Sequence, residues 1–190
     1  MKGGAFRDHR DAGAPPSTAR AHNAQGADEL VVLDIDANRA GRVPDLDVFR
    51  AIASEIQIPL TVGGGVRDTA TARLAMDAGA DKIAVTTTAL DRPELITELA
   101  ELFGCQAVVL GIDVMMDDDG GKLFDHRAGM VAGDGDWLSW MLEAVRRGAG
   151  EVRLMSVGRE GQRDGFDLSL HARARAAVNV PIILEGGAGT

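Results

Sequence analysis

The chain has 190 residues, of which 45% are hydrophobic, a formal net charge of −9 and a pI near 4.9. This length and composition predict one domain with a substantial core, and the acidic balance argues against nucleic acid as a partner. No stretch reaches the roughly 18 apolar residues of a membrane span, and the first residues lack an apolar signal core. We therefore expect a cytoplasmic protein that handles small molecules and does not bind membranes.

The cysteines and histidines indicate whether the chain could hold disulfides or a metal ion. Cys105 is the single cysteine, which excludes a disulfide framework and a clustered-thiol metal site. Apolar residues flank it on both sides, so we expect a buried thiol. The four histidines are scattered without metal-ligand spacing. The sequence therefore predicts neither a metal nor a cofactor.

Short apolar runs alternate with longer amphipathic stretches along the chain. The predicted strands, rich in Val, Ile and Leu, are 29–35, 59–64, 82–87, 107–113, 151–157 and 181–187. The predicted helices are 46–56, 69–80, 92–104, 137–148 and 168–178. Residues 114–136 form the one long irregular stretch. The alternation predicts βα units around a parallel sheet.

Two parts of the chain repeat in a single register of 122 residues. The segments PLTVGG and PIILEGG begin at Pro59 and Pro181, and the register relates 26–68 to 148–190 without a gap. Several matches in one register predict duplicated halves, and hence one incomplete (β/α)8 barrel domain over 1–190 with about six of its eight strands. We expect one further strand before Met1 and one after Thr190. A doubly wound open sheet would explain the alternation of elements, but not the repeat.

The carboxyl ends of barrel strands carry function, and two of the predicted ends are glycine clusters. Gly64-Gly65 and Gly186-Gly187 follow equivalent strands half a barrel apart. Glycine lets backbone N–H groups approach a phosphate closely, and a following helix N-terminus adds to the attraction. A substrate with a phosphate at each end fits this arrangement, while tight turns without a ligand are the alternative.

Charged residues mark both poles of the predicted barrel. Asp113 ends a continuous apolar strand, where partial desolvation suits a carboxylate to acid–base work; binding to nearby backbone is the alternative. Asp34, also at a strand end, is assigned a supporting structural role. At the opposite pole Glu29, Lys82 and Glu151 each begin a strand. These charges could close a pore through the barrel, or they could simply pair with one another at its floor.

Motifs spread along the chain resemble the cyclase subunit of imidazole glycerol phosphate synthase, from histidine biosynthesis. The matching stretches are KGGAFRDHRDAGAP, DELVVLDI, PLTVGGGVRD, GADKIAVTTTAL, FGCQAVVLGIDV, RRGAGEVRLMSV and PIILEGGAG. The sister isomerase of the pathway shares the half-barrel repeat and the GGG loop but is less similar. The resemblance implies a lyase that combines ammonia with a bisphosphorylated aminoimidazole-carboxamide ribonucleotide, in its ribulosyl form. The products are imidazole glycerol phosphate and an aminoimidazole-carboxamide ribotide.

The resemblance also assigns roles to residues. Asp113 matches one of two catalytic aspartates; the other belongs to the first strand, which we expect upstream of Met1. The residues matching substrate and phosphate contacts are Lys2, Gly64, Gly65, Thr87, Ser156, Gly186 and Gly187. Ammonia would come from a glutaminase subunit in a heterodimer, through a charged gate matched by Glu29, Lys82 and Glu151. Asp81 matches a floor residue that faces the glutaminase.

Departures from the family pattern concentrate near the second phosphate turn. Glu185 replaces a small residue before Gly186-Gly187, where a carboxylate would repel phosphate. Residues 158–162 read GREGQ instead of a DRDGT type of loop, and Thr86 replaces an asparagine. These departures leave open a paralogue that applies the same ammonia chemistry to another substrate.

Two further alternatives concern activity. One is the sister isomerase, which would not require ammonia; the other is an inactive barrel that only binds a glutaminase. Because a catalytic aspartate and two strands are expected outside the 190 residues, we expect this chain by itself not to cyclise the substrate.

Overall fold

The computed structural model describes residues 13–189, which fall into two compact units, 13–109 and 110–189. The N-terminal unit contains five helices and three complete strands in the order α1 (Pro15–Ala24), β1 (Leu30–Leu33), α2 (Leu46–Ala53), β2 (Leu60–Gly63), α3 (Thr69–Asp77), β3 (Lys82–Val85), α4 (Thr87–Asp91) and α5 (Glu94–Phe103). Its strands pair in parallel, β1 with β2 and β2 with β3. Phe49 and Ile52 of α2 and Leu95, Ile96 and Leu99 of α5 are buried.

The C-terminal unit continues the alternation. Its elements are β4 (Val108–Met115), which begins two residues before the unit, β5 (Lys122–Asp125), β6 (Met130–Val131), α6 (Trp137–Arg147), β7 (Glu151–Ser156), α7 (Leu168–Ala177) and β8 (Ile182–Glu185). β7 pairs with β4 and, in parallel, with β8. The structure confirms the predicted class, an α/β fold of the incomplete (β/α)8 type, with the six predicted strands present among the described residues.

The 122-residue register holds in the backbone. β1 and β2 pair with Leu30 opposite Leu60, and β7 and β8 pair with Val152 opposite Ile182. The helices keep the same offset, because α2 begins at Leu46 and α7 at Leu168. The strands and helices therefore keep the 122-residue spacing that the sequence shows.

Aspartate caps explain where α2, α3 and α7 begin. Asp45 Oδ1 accepts a hydrogen bond from Val48 N at 3.1 Å, and its counterpart Asp167 accepts one from Leu170 N at 3.0 Å. Such a side chain satisfies one of the N–H groups that a first helical turn leaves unpaired. Asp68 does the same for α3. These caps fix the first turns of α2, α3 and α7.

Two predictions need correction, and one helix was not predicted. Residues 114–136 are not wholly irregular, because β4 extends to Met115 and pairs with β5, and β5 pairs with β6, both antiparallel. Cys105 is exposed rather than buried, since it lies in a short 3-10 turn after α5 and not in a strand. The helix α1 was not predicted, because its sequence PPSTARAHNA carries no strong apolar stripe.

Candidate functional site at the strand ends

Asp34 follows β1 and is held by several donors. Arg42 Nη1 and Nη2 donate to its two carboxylate oxygens at 2.6 and 2.9 Å, and the backbone N–H of Asp45 donates at 3.0 Å. Burial would raise the pKa of the Asp34 carboxyl, but the Arg42 guanidinium and the backbone donors outweigh it and hold the pKa below its ordinary value of 3.8. The network supports the structural role expected for Asp34.

The turn after β2 requires glycine. Gly64 and Gly65 have φ of +82° and +73°, a region that favours glycine. A Cβ on Gly64 would overlap the backbone of Asp34, and one on Gly65 would lie 2.6 Å from Ala37 Cβ. The turn thus packs closely against the chain that follows β1, and it precedes the capped N-terminus of α3.

Thr87 lies at the end of the neighbouring strand. It is the first residue of α4 and buried, and its Oγ1 accepts a hydrogen bond from Asn38 Nδ2 at 3.2 Å. Asn38 belongs to the loop after β1, so the predicted contact residue is tied to the segment that also carries Asp34. Thr86, the departure beside it, has φ −129° and ψ −93° and makes no capping bond from its side chain.

In the C-terminal unit Asp113 lies within β4, two residues before its end, because the hairpin lengthens the strand. Its Oδ2 is 3.0 Å from Nε2 of His126, which follows β5. The His126 ring also meets Phe124 edge-on, with centroids 4.9 Å apart. Both side chains of the Asp113–His126 pair are mostly buried. The hairpin therefore presents an imidazole to the predicted catalytic carboxylate.

The second glycine turn repeats the first. Gly186 and Gly187 have φ of +87° and +86°. A Cβ on Gly186 would lie 2.5 Å from Ser156 O, as one on Gly64 would meet Asp34 O. Gly165 N donates to Gly187 O at 2.8 Å, which holds the turn against the loop after β7. Ser156 is 1% exposed, and among the described residues its Oγ has no hydrogen-bond partner.

The departure at Glu185 is paired with Arg153 of β7. Arg153 Nε donates to Glu185 Oε1 at 2.7 Å, and its Nη2 donates to Oε2. The other departing segment, 158–162, is also anchored. Arg159 Nη1 donates to Gly165 O at 3.2 Å, and Arg159 Nε lies 3.5 Å from Asp167 Oδ2.

The amino ends of the strands carry the predicted gate residues. Glu29, just before β1, accepts hydrogen bonds from Lys82 Nζ at 2.7 Å and Thr61 Oγ1 at 2.5 Å. Asp81 Oδ2 accepts from Leu60 N at 2.8 Å, so its carboxylate also secures the start of β2. Glu151 is the first residue of β7 and is buried. The structure thus brings Glu29 and Lys82 together.

Three further points concern a phosphate contact, metal binding and membrane spans. Lys2, predicted to contact a phosphate, lies outside the described residues. Across 13–189, no group of three or more His, Cys, Asp or Glu side chains is placed to hold a metal ion. No described helix is long and apolar enough to cross a membrane.

Sequence reasoning missed Arg42, His126 and Arg153. Arg42 and Arg153 are single charges with no motif around them, and His126 lies in a stretch that was predicted to be irregular. The weak signal for His126 was an alternation of apolar and polar residues in KLFDH, which is compatible with a strand. Arg153 interrupts an apolar strand, which is itself a sign of a paired buried charge.

The sequence of the whole chain is similar to known proteins of one family. A family profile described as "Histidine biosynthesis protein" matches residues 1–190. The chain is 48% identical over 191 residues to imidazole glycerol phosphate synthase subunit HisF of Anoxybacillus flavithermus and 46% identical over 190 residues to that of Acidobacterium capsulatum. It is 44% identical over 191 residues to that of Bacillus subtilis. Each match covers 100% of this chain and 75% of the relative.

Proposed function

The chain belongs to the histidine biosynthesis protein family, and on that premise we propose that it is the cyclase subunit of an imidazole glycerol phosphate synthase. The reaction takes ammonia and the bisphosphorylated aminoimidazole-carboxamide ribonucleotide, in its ribulosyl form, to imidazole glycerol phosphate and an aminoimidazole-carboxamide ribotide. The observation that carries the proposal is 44–48% identity to cyclase subunits over the entire chain. The named relatives favour this activity over the sister isomerase, a paralogue with another substrate, or an inactive binding barrel.

Asp113 is the proposed acid–base catalyst from this chain. Its carboxylate is mostly removed from water, and a buried strand holds its backbone in place. A positioned carboxylate that transfers protons in the transition state contributes about 10²–10⁴ in rate. His126, whose Nε2 lies 3.0 Å from Asp113 Oδ2, is proposed as a positioning residue for the carboxylate.

The two glycine turns are the proposed phosphate sites. At both turns the backbone packs so closely against the end of the adjacent strand that only glycine fits. Glycine also leaves the peptide N–H groups open to a close approach by an anion. Thr87, at the strand end beside the first turn, and Ser156, at the strand end beside the second turn, are proposed as hydroxyl contacts for the substrate. Lys2 would add a positive charge at one phosphate. No redox cofactor is required in this scheme, because ammonia condenses with the substrate with loss of water, and the ribotide leaves as the imidazole ring closes, without net oxidation or reduction.

The amino ends of the strands are proposed to serve ammonia transfer. Glu29, Lys82 and Glu151 form a charged gate, in which the Glu29–Lys82 contact closes one part. Asp81 would face a glutaminase subunit that docks there and supplies ammonia. The relatives' name "subunit" supports assembly into a complex. We further propose that 1–190 form one domain, with 26–68 and 148–190 equivalent, and that the protein works in the cytoplasm.

The direct test uses the protein expressed from its complete reading frame. We expect turnover of the bisphosphate with an ammonium salt, and a loss of about 10²–10⁴ in turnover for Asp113→Asn. Asp118→Asn, which removes an exposed charge from the same hairpin, is the matched control and should retain activity. Turnover without ammonia would indicate the isomerase instead, and unchanged turnover in Asp113→Asn would remove Asp113 from the mechanism.

A second variant tests the contact with His126. His126→Asn should lower turnover by about tenfold, and its effect should largely vanish in the Asp113→Asn background, because residues that act as a unit are not additive. His22→Asn, on the exposed face of α1, is the control. Additive losses in the double variant would contradict a positioning role for His126.

A further inference from the structure

The ion pair between Arg153 and Glu185 distinguishes the second half of the repeat from the first. The equivalent positions, 122 residues earlier, are Val31 and Gly63. Neither Val31 nor Gly63 is charged, whereas the second half carries an arginine and a glutamate at the equivalent positions. Two charges of opposite sign that are present together and absent together point to one combined role.

The pair lies on one face of β7 and β8. The register sets Arg153 opposite Ile183 and Met155 opposite Glu185, so Arg153 and Glu185 lie on the same face, one step apart along the strands. Arg153 retains only 7% of its side-chain exposure and Glu185 retains 21%. Two parallel donors from one guanidinium hold both carboxylate oxygens. The carboxylate is thus fixed towards the middle of β7.

Glu185 is the residue immediately before Gly186-Gly187. A free carboxylate at this place would oppose an anion at the turn, since two like charges a few ångströms apart in a partly buried site repel strongly. An arginine buried alone would lower the stability of the fold, because an unpaired charge is removed from water without compensation. Together they are neutral, so the turn meets no net charge from this pair.

We propose that Arg153 is a positioning residue for an anion at the second glycine turn: by holding and neutralising Glu185, it keeps Gly186-Gly187 able to bind a phosphate group. The inference deepens the proposed function and rests on it. It assigns the second half a phosphate-bearing substrate end despite the carboxylate beside the turn.

A purely structural role is the rival explanation. The pair could simply join β7 to β8, in which case its removal would lower stability without changing the relative phosphate affinities of the two turns. Measuring both turns within one molecule separates these explanations. Binding of inorganic phosphate can be followed by the amide NMR signals of Gly65 and Gly187 in the protein expressed from its complete reading frame.

Four proteins make the test. Arg153→Val leaves Glu185 unpaired, and we expect phosphate affinity at Gly187 to fall at least about tenfold while affinity at Gly65 is unchanged. Arg153→Val with Glu185→Gly copies the first half and should restore affinity at Gly187 to within about threefold of the original protein. Glu185→Gly alone leaves a positive charge and should bind at least as tightly. Arg146→Met, which breaks an exposed pair with Glu143, controls for loss of charge.

The outcomes separate the inference from the function on which it rests. Equal phosphate affinity at Gly187 in Arg153→Val and the original protein would overturn the positioning role, as would phosphate at Gly65 but not at Gly187 in the original protein. Phosphate at neither turn would instead overturn the proposed phosphate sites. If Arg153→Val does not fold, a failure of the double variant to bind at Gly187 would still contradict the proposal.

Discussion

The β1–β2 region and the β7–β8 region share a backbone but differ in charge. Both pairs have the same register, the same aspartate cap on the helix that connects the two strands and the same two left-handed glycines after the second strand. Their polar residues differ: Asp34 stands where Ser156 stands, and Gly63 stands where Glu185 stands. The comparison shows that the two regions share their turns and helix caps, while single side chains at the strand ends differ in charge.

The largest expected effect comes from filling the glycine turns. Gly64→Ala places a Cβ against the backbone of Asp34, and Gly186→Ala places one against the backbone of Ser156. We expect each substitution to lower the free energy of unfolding by about 2–4 kcal/mol. Gly41→Ala shares the positive φ but has open space around it, so it should cost about 1 kcal/mol. Urea unfolding measures all three, and equal losses would show that close packing does not define the turns.

The next effect concerns the amino ends of the strands. A double-mutant cycle on Lys82→Met and Glu29→Gln should give a coupling energy of about 1–2 kcal/mol, because both side chains are largely shielded from water. The Arg39–Asp36 pair is equally short but exposed, and its cycle should give less than about 0.5 kcal/mol. Similar couplings for the two pairs would mean that burial does not strengthen the Glu29–Lys82 contact.

The helix caps test whether the halves are energetically equivalent. Asp45→Ala and Asp167→Ala each remove one capping hydrogen bond and should each cost about 1 kcal/mol. Asp167 also accepts a bond from Ser169 Oγ at 2.7 Å and is buried, so its loss should be the greater by a few tenths. Thermal unfolding of the two variants compares them directly, and a smaller loss at Asp167 would contradict this order.

The smallest effect is a difference in acid sensitivity. The pKa of Asp34 lies below its ordinary value of 3.8, so its stabilising contribution is complete above pH 3.8 and is lost as pH falls through the folded-state pKa. Asp34→Asn should therefore flatten the fall in stability below about pH 4. Ser156→Ala, at the equivalent position, removes no titrating group and should leave that slope unchanged. Denaturant unfolding at a series of acidic pH values measures both slopes.

The sequence could predict the strands, most helices and the repeat, because each depends on local patterns. Continuous runs of Val, Ile and Leu indicate buried strands, and Asp45 and Asp167 indicate helix N-caps. The pair Gly64-Gly65 indicates a turn with left-handed backbone. Boundaries were off by a few residues because frayed ends carry no sequence signal. The sequence also placed Asp113 near a strand end and gave the role of Glu29 and Lys82 as open alternatives.

Tertiary structure alone decided the partners of those residues. Arg153 and Glu185 are 32 residues apart, and Glu29 and Lys82 are 53 apart, so no local pattern links them. His126 reaches Asp113 because a hairpin folds back onto β4, a pairing that its short strands do not announce. Local propensity sets the elements, whereas which charges neutralise each other depends on strand register, and register exists only once the sheet has formed.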